Sequence, residues 1–311
     1  MNKKLVSIAL CALAFSSQAL SETLNISYVR SPFNLQMMVM KEHGILDKEM
    51  AKQNVDVQWH EITSGAKQAQ ALASGDLHIA GVMNTASVLM ANGANNPVRV
   101  IAGVSRPTDT FAIVGAKGGP KSVADLKGKK IAGPKGTVLH QTLVAALVKE
   151  NMTIQDVEFI QMGLPQAFAA LQSGQIDAAL LAAGFVINAE KDGANVITTA
   201  TGLVVPKLVM ASSETIINQH PNWIEAARKA HDDAAKWIKN NPQEAIELGA
   251  KLQQISIEDA KKLYDWAHFT QRLNEEDMKS LALDMQFMLE NDMMRQPVDI
   301  KKIVQVKALE E

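Results

Sequence analysis

Ala71-Leu72-Ala73-Ser74-Gly75-Asp76-Leu77-His78-Ile79-Ala80 decides the fold, because the chain says it again at 170–179 as Ala-Leu-Gln-Ser-Gly-Gln-Ile-Asp-Ala-Ala. Five of the ten positions are identical, with no gap. Ahead of each glycine, apolar residues share one helical face: Ala66, Ala69, Leu72 and Ala73 in the first copy, Ala167, Phe168 and Leu171 in the second. A glycine just past the last turn supplies the left-handed residue that closes many helices. Each copy therefore predicts a helix end, a tight turn and the start of an apolar strand.

The neighbourhoods match as well. Strand-like runs lie at 24–29 and 55–62 before the first copy, and at 129–132 and 156–162 before the second. A helical pattern separates the members of each pair, at 34–43 and at 138–150. Both halves read strand–helix–strand–helix–strand, offset by about 100 residues, a repeat of domain size rather than solenoid size. Two similar α/β lobes follow. A helix at 87–92 and a strand at 98–104 complete the first. The chain then crosses at Arg106-Pro107-Thr108-Asp109 into a strand at 111–115, and 202–211 is predicted as the returning strand. Beyond 214 the sequence reads as helical, with Trp223, Ala226, Ala227, Ala230, Ala234 and Ile238 keeping a 3.6-residue period. This tail matches neither repeat and is expected to pack back on the first lobe.

Residues 1–21 carry Lys3 and Lys4, an apolar run from Leu5 to Phe15, and small-residue cleavage motifs at Ser17-Gln18-Ala19 or Ala19-Leu20-Ser21. That is the pattern of a signal peptide, and its apolar run is too short to span a bilayer. The single cysteine, Cys11, lies inside that run and follows Leu10 where a lipoprotein would want a small residue, so ordinary secretion is expected, with a lipid anchor as the minor alternative. Without Lys3 and Lys4 the 31 basic residues fall to 29 against 33 acidic ones, a net charge of −4. No basic excess points to nucleic acid.

Open parallel sheets present ligands at the carboxyl ends of their strands, where loops enter helix N-termini. Here those loops carry small polar groups: Ser31 and Asn34, Ser64 and Gly65, Asn84 and Thr85, Gly136 and Thr137, Gly184. Such residues are also ordinary helix caps, Ser31 with Pro32 behind it among them. Clustered at equivalent strand ends of two facing lobes, they would instead cup a small anion with free N–H groups. Arg30 and Arg106 are the candidate cleft cations, since a guanidinium holds an oxyanion through two parallel bonds. His140 is a candidate donor, and Phe33 and Phe185 are candidate apolar walls. Gly-x-Ser-x-Gly, Gly-x-Gly-x-x-Gly and a complete phosphate loop are all missing from the sequence, and the seven histidines are scattered. No catalysis, metal or cofactor is expected.

Gly81 to Ala86, Ser122-Val-Ala-Asp-Leu-Lys-Gly-Lys-Lys130, Gly136-Thr137, the second Leu-Gln-Ser-Gly-Gln-Ile-Asp and the tail from His220-Pro221 to Ala245 together resemble a known family. It is the periplasmic solute-binding proteins of ABC importers for aliphatic sulfonates, taurine and nitrate, which also includes thiamine-precursor binders. The resemblance implies an α/β, two-lobe periplasmic-binding-protein fold (type II, Venus-flytrap) with crossovers near 106–110 and 204–208. One lobe would comprise 22–107 plus 206–311 and the other 108–205. It implies a small organic anion clamped between the lobes, an aliphatic sulfonate first, with nitrate, an aromatic acid or a thiamine-precursor pyrimidine as alternatives and, ranked below these, an enzyme on the same fold. Its partners would be a membrane permease and its ATPase, and the protein would act as a monomer. Ligand contacts would fall around Arg30, Ser64, Asn84-Thr85, Gly136-Thr137 and Gly184-Phe185. Where many members have Trp-Asp-Pro after the second repeat strand, this chain has Ala183-Gly184-Phe185, a departure that argues against the ammonium of taurine.

Overall fold

Two five-stranded sheets carry the chain in the computed structural model, which describes residues 21–29 and 33–310. The first half runs β1 (Glu22–Tyr28), α1 (Leu35–Glu42), α2 (Ile45–Ala51), β2 (Val55–Glu61), α3 (Gly65–Ser74), β3 (Ile79–Asn84), α4 (Thr85–Gly93) and β4 (Val98–Ser105). The second runs β5 (Phe111–Gly115), β6 (Lys130–Gly133), α5 (Val138–Lys149), β7 (Glu158–Gln161), α6 (Leu164–Gln172), β8 (Ala178–Ala182), α7 (Gly184–Lys191) and β9 (Asn195–Thr199). After β10 (Leu208–Ser213) come α8 (Glu214–Gln219), α9 (Pro221–Asn240), α10 (Pro242–Gln253), α11 (Ile257–Ala267) and α12 (Glu275–Glu290).

The strand orders are β2-β1-β3-β10-β4 and β7-β6-β8-β5-β9. In both sheets the first three strands are parallel and the fourth runs against its two neighbours. That fourth strand is where the chain crosses: β5 begins the second sheet and β10 re-enters the first.

The duplicated stretch builds the same joint twice. Gly75 and Gly174 sit at φ +81° and +70° just past α3 and α6, the left-handed turn that a side chain would strain. His78 N–H donates to the Asn25 carbonyl, and Asp177 N–H donates to that of Lys130. In return Asn25 N–H donates to His78 Nδ1, and Lys130 N–H donates to the Asp177 carboxylate. Ile79 then pairs with Ile26, and Ala178 with Ile131. Ser122 and Asp125 close the reciprocal cap that their spacing predicts, each backbone N–H bonded by the other's side chain.

Three elements differ from the sequence reading. Residues 45–51 form α2, started by Gly44 at φ +58°. β9 adds an edge strand at 195–199 to the second sheet. The returning strand begins only at Leu208, because Pro206 has no N–H for a ladder and 202–207 serve as the crossover. The tail covers the first sheet: Trp223, Ala226, Ala227, Ala230, Ala234 and Ile238 of α9 are all buried, and α9 packs on α1 and α2. It also reaches farther than expected, since α11 touches α7 of the second lobe. The expected signal segment, 1–21, lies outside the described residues except for Ser21.

Candidate functional site

A cavity of about 80 Å³ lies between the two sheets, and four helices begin on its wall. Their caps are Ser64 for α3, Asn84 for α4, Thr137 for α5 and Gly163 for α6. The first N–H groups of a helix have no acceptor within it, and each helix end carries roughly half a positive charge. Ser64 Oγ accepts from Lys67 N–H at 3.4 Å, and Asn84 Oδ1 accepts from Ser87 N–H at 2.9 Å. Thr137 and Gly163 make no side-chain cap bond, so the first-turn N–H groups of α5 and α6 are left uncapped by the cap side chain, except that Pro165 of α6 has none to offer. The Thr137 hydroxyl itself donates to the Pro134 carbonyl at 2.8 Å.

Backbone packing brings these ends together. A Cβ on Gly65 would stand 2.3 Å from Ser87 Oγ and 3.2 Å from Asn84 Nδ2, so only glycine lets α3 start this close to α4. Gln68 is buried in the same wall, donating to the Ile62 carbonyl at 2.8 Å and accepting from Ser27 Oγ at 3.0 Å. Apolar Val29, Val82, Phe111, Leu139 and Leu208 fill much of the rest. No side chain lining the cavity is charged among the described residues. The arrangement presents oriented backbone dipoles to a pocket whose described walls carry no charge, a setting suited to an anion.

A second cavity of about 290 Å³ adjoins the first through shared Thr63 and Leu164. Gly184 and Phe185, at the start of α7, line it together with Pro165, Asn188 and the turn Leu252–Ile255 between α10 and α11. Two bonds cross between the lobes near the inner cavity. Ser87 Oγ donates to the Gly136 carbonyl at 2.8 Å, and Gln141 Nε2 donates to Asp284 Oδ1 at 2.8 Å.

The structure brings Ser64, Asn84 and Thr137 to the inner cavity, and Gly184 and Phe185 to the outer one. Arg30 lies outside the described residues. Other candidates are placed elsewhere. Arg106 is gripped by the buried Asp277, which accepts from Nε at 3.0 Å and from Nη2 at 2.6 Å; this partner holds the guanidinium above its usual pKa and away from the cleft. His140 faces the other side of α5, its ring 5.0 Å from that of Phe159, beside a different cavity that Asn291 and Met293 also line. Burial there pushes it down to about 4. Phe33 is core, packed so closely on α10 that a Cβ at Gly249 would lie 2.4 Å from its ring. Asn34 is buried and donates to the Val29 carbonyl at 3.1 Å. Thr85 is buried at the start of α4, its N–H bonded to the Lys207 carbonyl at 3.1 Å. Gly136 stands at φ +73° and contributes its carbonyl to the Ser87 bond.

Several site residues escaped the sequence reading. The repeat offset that carries 71–80 onto 170–179 also carries Ser64 onto Gly163, so the start of α6 was findable by extending the duplication. Gln68 sits one turn into α3 and could have been flagged as a polar residue on a helix's apolar face. The Leu252–Ile255 turn carries no local signal, since its place comes from how the tail folds back.

Two sheets of this order, joined by two crossovers and holding a cleft lined by helix starts, define the two-lobed periplasmic-binding-protein class. The chain belongs to the NMT1/THI5-like family, which it matches over residues 50–245. It is 30% identical over 253 residues to the taurine-binding periplasmic protein of Escherichia coli (strain K12), covering 80% of this chain and 76% of that one. Its fold is similar to that of the alkanesulfonate-binding protein SsuA from Xanthomonas axonopodis pv. citri bound to MOPS. The TM-score is 0.80 at 19% identity, covering 91% of this chain and 98% of that one. The desulfurization enzyme DSZB shares the fold at a TM-score of 0.65 and 17% identity, over 91% of this chain and 96% of that one.

Proposed function

We propose that this chain is the extracytoplasmic solute-binding component of an ABC importer, binding a small sulfonate between its lobes and handing it to a membrane permease driven by an ATPase. The observation that carries the reading is the convergence of four helix starts on one cavity between the two sheets. Three sulfonate oxygens spread negative charge over a compact head, which suits N–H donors arriving from several directions. The taurine-binding relative, 30% identical, supports the ligand class. Arg30 follows Val29, which lines the inner cavity, and is proposed as the cation that completes the cup.

The protein works as a monomer in the periplasm, exported by residues 1–21 without a lipid anchor, and binds without turning its ligand over. No described helix is long and apolar enough to cross a membrane. Closure follows from contacts that exist only when both lobes touch the ligand, so binding shifts the population toward the closed form.

A thermal-shift screen of residues 22–311 against sulfonates, nitrate, carboxylates and pyrimidines tests the reading. A ligand at a hundredfold its Kd stabilises the folded state by about 2.7 kcal/mol, a rise on the order of 5 °C. A rise with sulfonates that Thr137→Ala or Arg30→Ala diminishes supports the site. A rise with a pyrimidine or nitrate alone overturns the ligand, and covalent change of a sulfonate on incubation overturns the binding-only role.

A further inference from the structure

We propose that the chain carries a second binding site, for a zwitterion with its ammonium and carboxylate at opposite ends of an apolar chain, in the cavity between the lobes on the far side of α5. That cavity measures about 540 Å³. Its wall on the second lobe is Lys135, the face of α5 carrying His140, Val144 and Val148, and Phe159 of β7. Its wall on the first lobe is the end of α12 and the turn after it, Glu290 to Met293. It shares no residue with the inner cavity read above as the sulfonate site.

Two features mark it as a place for a ligand. His140 is only 7% exposed, yet its ring has no hydrogen-bond partner among the described residues. Buried polar groups are normally paired, so the ring is left to a group inside the cavity that it lines. Burial holds its pKa down to about 4, so at neutral pH the uncharged ring has one N–H to donate and one lone pair to accept with. Two turns further along α5, Val148 is 43% exposed, apolar surface that the fold leaves uncovered in the same wall.

The charges sort by lobe. Lys135 stands on the second-lobe side, close enough for its charge to act on His140. Glu290 and Asp292 stand on the first-lobe side, where the C-terminal end of α12 adds a partial negative charge. Lys135 and Asp292 form no ion pair among the described residues, and Glu290 accepts from Gln286 of its own helix at 2.9 Å. A roughly cubic space of this volume is about 8 Å across, the reach of a chain of about five methylenes between two charges. A carboxylate at Lys135 and His140, an ammonium at Glu290 and Asp292, and methylenes over Val144, Val148 and Phe159 satisfy both walls at once. A simple anion would meet two carboxylates, and a simple cation would meet Lys135. Because the walls belong to different lobes, the occupied site ties the lobes together, and on the proposed function it tightens sulfonate binding in the inner cavity.

The test is calorimetric titration of the mature chain with 6-aminohexanoate, beside hexanoate and hexylamine, each with and without saturating 1-propanesulfonate. The zwitterion is expected to bind about fivefold tighter than either analogue, since each lacks one of the charge contacts. Asp292→Asn is expected to bring the zwitterion towards hexanoate while leaving hexanoate unchanged, and Lys135→Gln to bring it towards hexylamine; both side chains are exposed, so neither change disturbs the core. Saturating 1-propanesulfonate is expected to tighten the zwitterion about fivefold, with the reciprocal effect of the same size. No binding of the zwitterion, an analogue that matches it, or affinity unmoved by both substitutions overturns the site. Mutual exclusion with 1-propanesulfonate overturns it as well, because the zwitterion would then occupy the inner cavity, and independence of the two overturns the bridging of the lobes. Failure of 1-propanesulfonate to bind overturns the parent reading, while the zwitterion series still reads this site.

Discussion

Gln141→Ala should weaken ligand binding about tenfold while leaving the unliganded protein folded. Gln141 is buried on α5 of the second lobe, and its amide donates at 2.8 Å to Asp284 on α12, which belongs to the tail that covers the first sheet. The other oxygen of Asp284 lies 3.5 Å from Lys207 Nζ, at the point where the chain returns to the first sheet. Lys207 is 0% exposed and also donates to the Val205 carbonyl and Ser280 Oγ, both at 2.8 Å. Burial pulls the lysine below its usual pKa and pushes the carboxyl above its own. The Gln141 bond is thus a hydrogen bond to a partly desolvated acid, made across the lobes.

A hydrogen bond to a charged group contributes about 1.5–3 kcal/mol. With the lobes apart both partners meet water, so the energy belongs to the closed state and enters Kd directly when the free protein is mostly open. At 1.36 kcal/mol per decade the lower bound gives about tenfold. Calorimetric titration reads the affinity, and small-angle scattering with and without ligand reads closure. Asp284→Asn acts differently, because it strips a buried lysine of its counter-charge and lowers the unfolding midpoint as well. A double-mutant cycle between the two positions should give a coupling of about 1 kcal/mol or more. A Gln141→Ala protein binding within twofold of wild type, with coupling near zero, would refute the claim that this bond holds the lobes closed.

Acid should destabilise the protein through its buried histidines. His140 and His231 are both held down to about 4 by burial, so between pH 6.5 and 4 the unfolded chain takes up protons that the folded one refuses, and stability falls as pH falls through that window by roughly 3 kcal/mol for each. Neither ring nitrogen of His231 has a partner among the described residues, so His231→Leu should keep or raise stability at pH 7.5 and halve the acid slope, both read by urea unfolding. Arg106→Ala should lower stability by about 2–3 kcal/mol by leaving Asp277, whose side chain is only 5% exposed, without its counter-charge and with only the Asn274 N–H of its α12 cap, yet leave ligand Kd unchanged; weakened binding at full stability would return Arg106 to the cleft. Gly65→Val should both destabilise by about 1–3 kcal/mol and abolish tight binding, because its Cβ would sit 2.7 Å from that of Ser87 and force α3 off α4; normal titration of this variant would show that the two helix starts need not be held together.

The parts of this fold legible in the sequence are those enforced by local chemistry. Gly75 and Gly174 announce left-handed turns whatever surrounds them, and the α9 positions from Trp223 to Ile238 fall inside because a 3.6-residue period leaves them one face. Elements ruled by distant partners were not legible. Arg106 in a polar loop looks like a cleft cation, and nothing near it in sequence names Asp277, which lies 171 residues away. β9 is a half-buried edge strand paired only with β5, so it lacks the alternation that marks a strand with one covered face. His140 lies in the first turn of the right helix but on the wrong side, a quarter-turn from the cavity-lining Leu139, and its contact with Phe159 shows which way it faces.

The duplication also explains why the site has the shape it does. Each sheet contributes parallel strands whose carboxyl ends open into helix starts, so facing the two sheets across the crossovers sets α3 and α4 opposite α5 and α6. Dipoles from one lobe alone would half-surround an anion, at a cost in lost hydration that two helix ends offset poorly. Four ends offset it only when the lobes meet. On the proposed function, affinity then depends on closure, and Ser87 to Gly136 and Gln141 to Asp284 are two of the bonds that join the lobes, with Lys191 to Asp259 a third between α7 and α11. Ser87→Ala removes the first of these without touching a buried charge. A loss in affinity of a few-fold, additive with that of Gln141→Ala, is the signature expected if both bonds serve one closing motion.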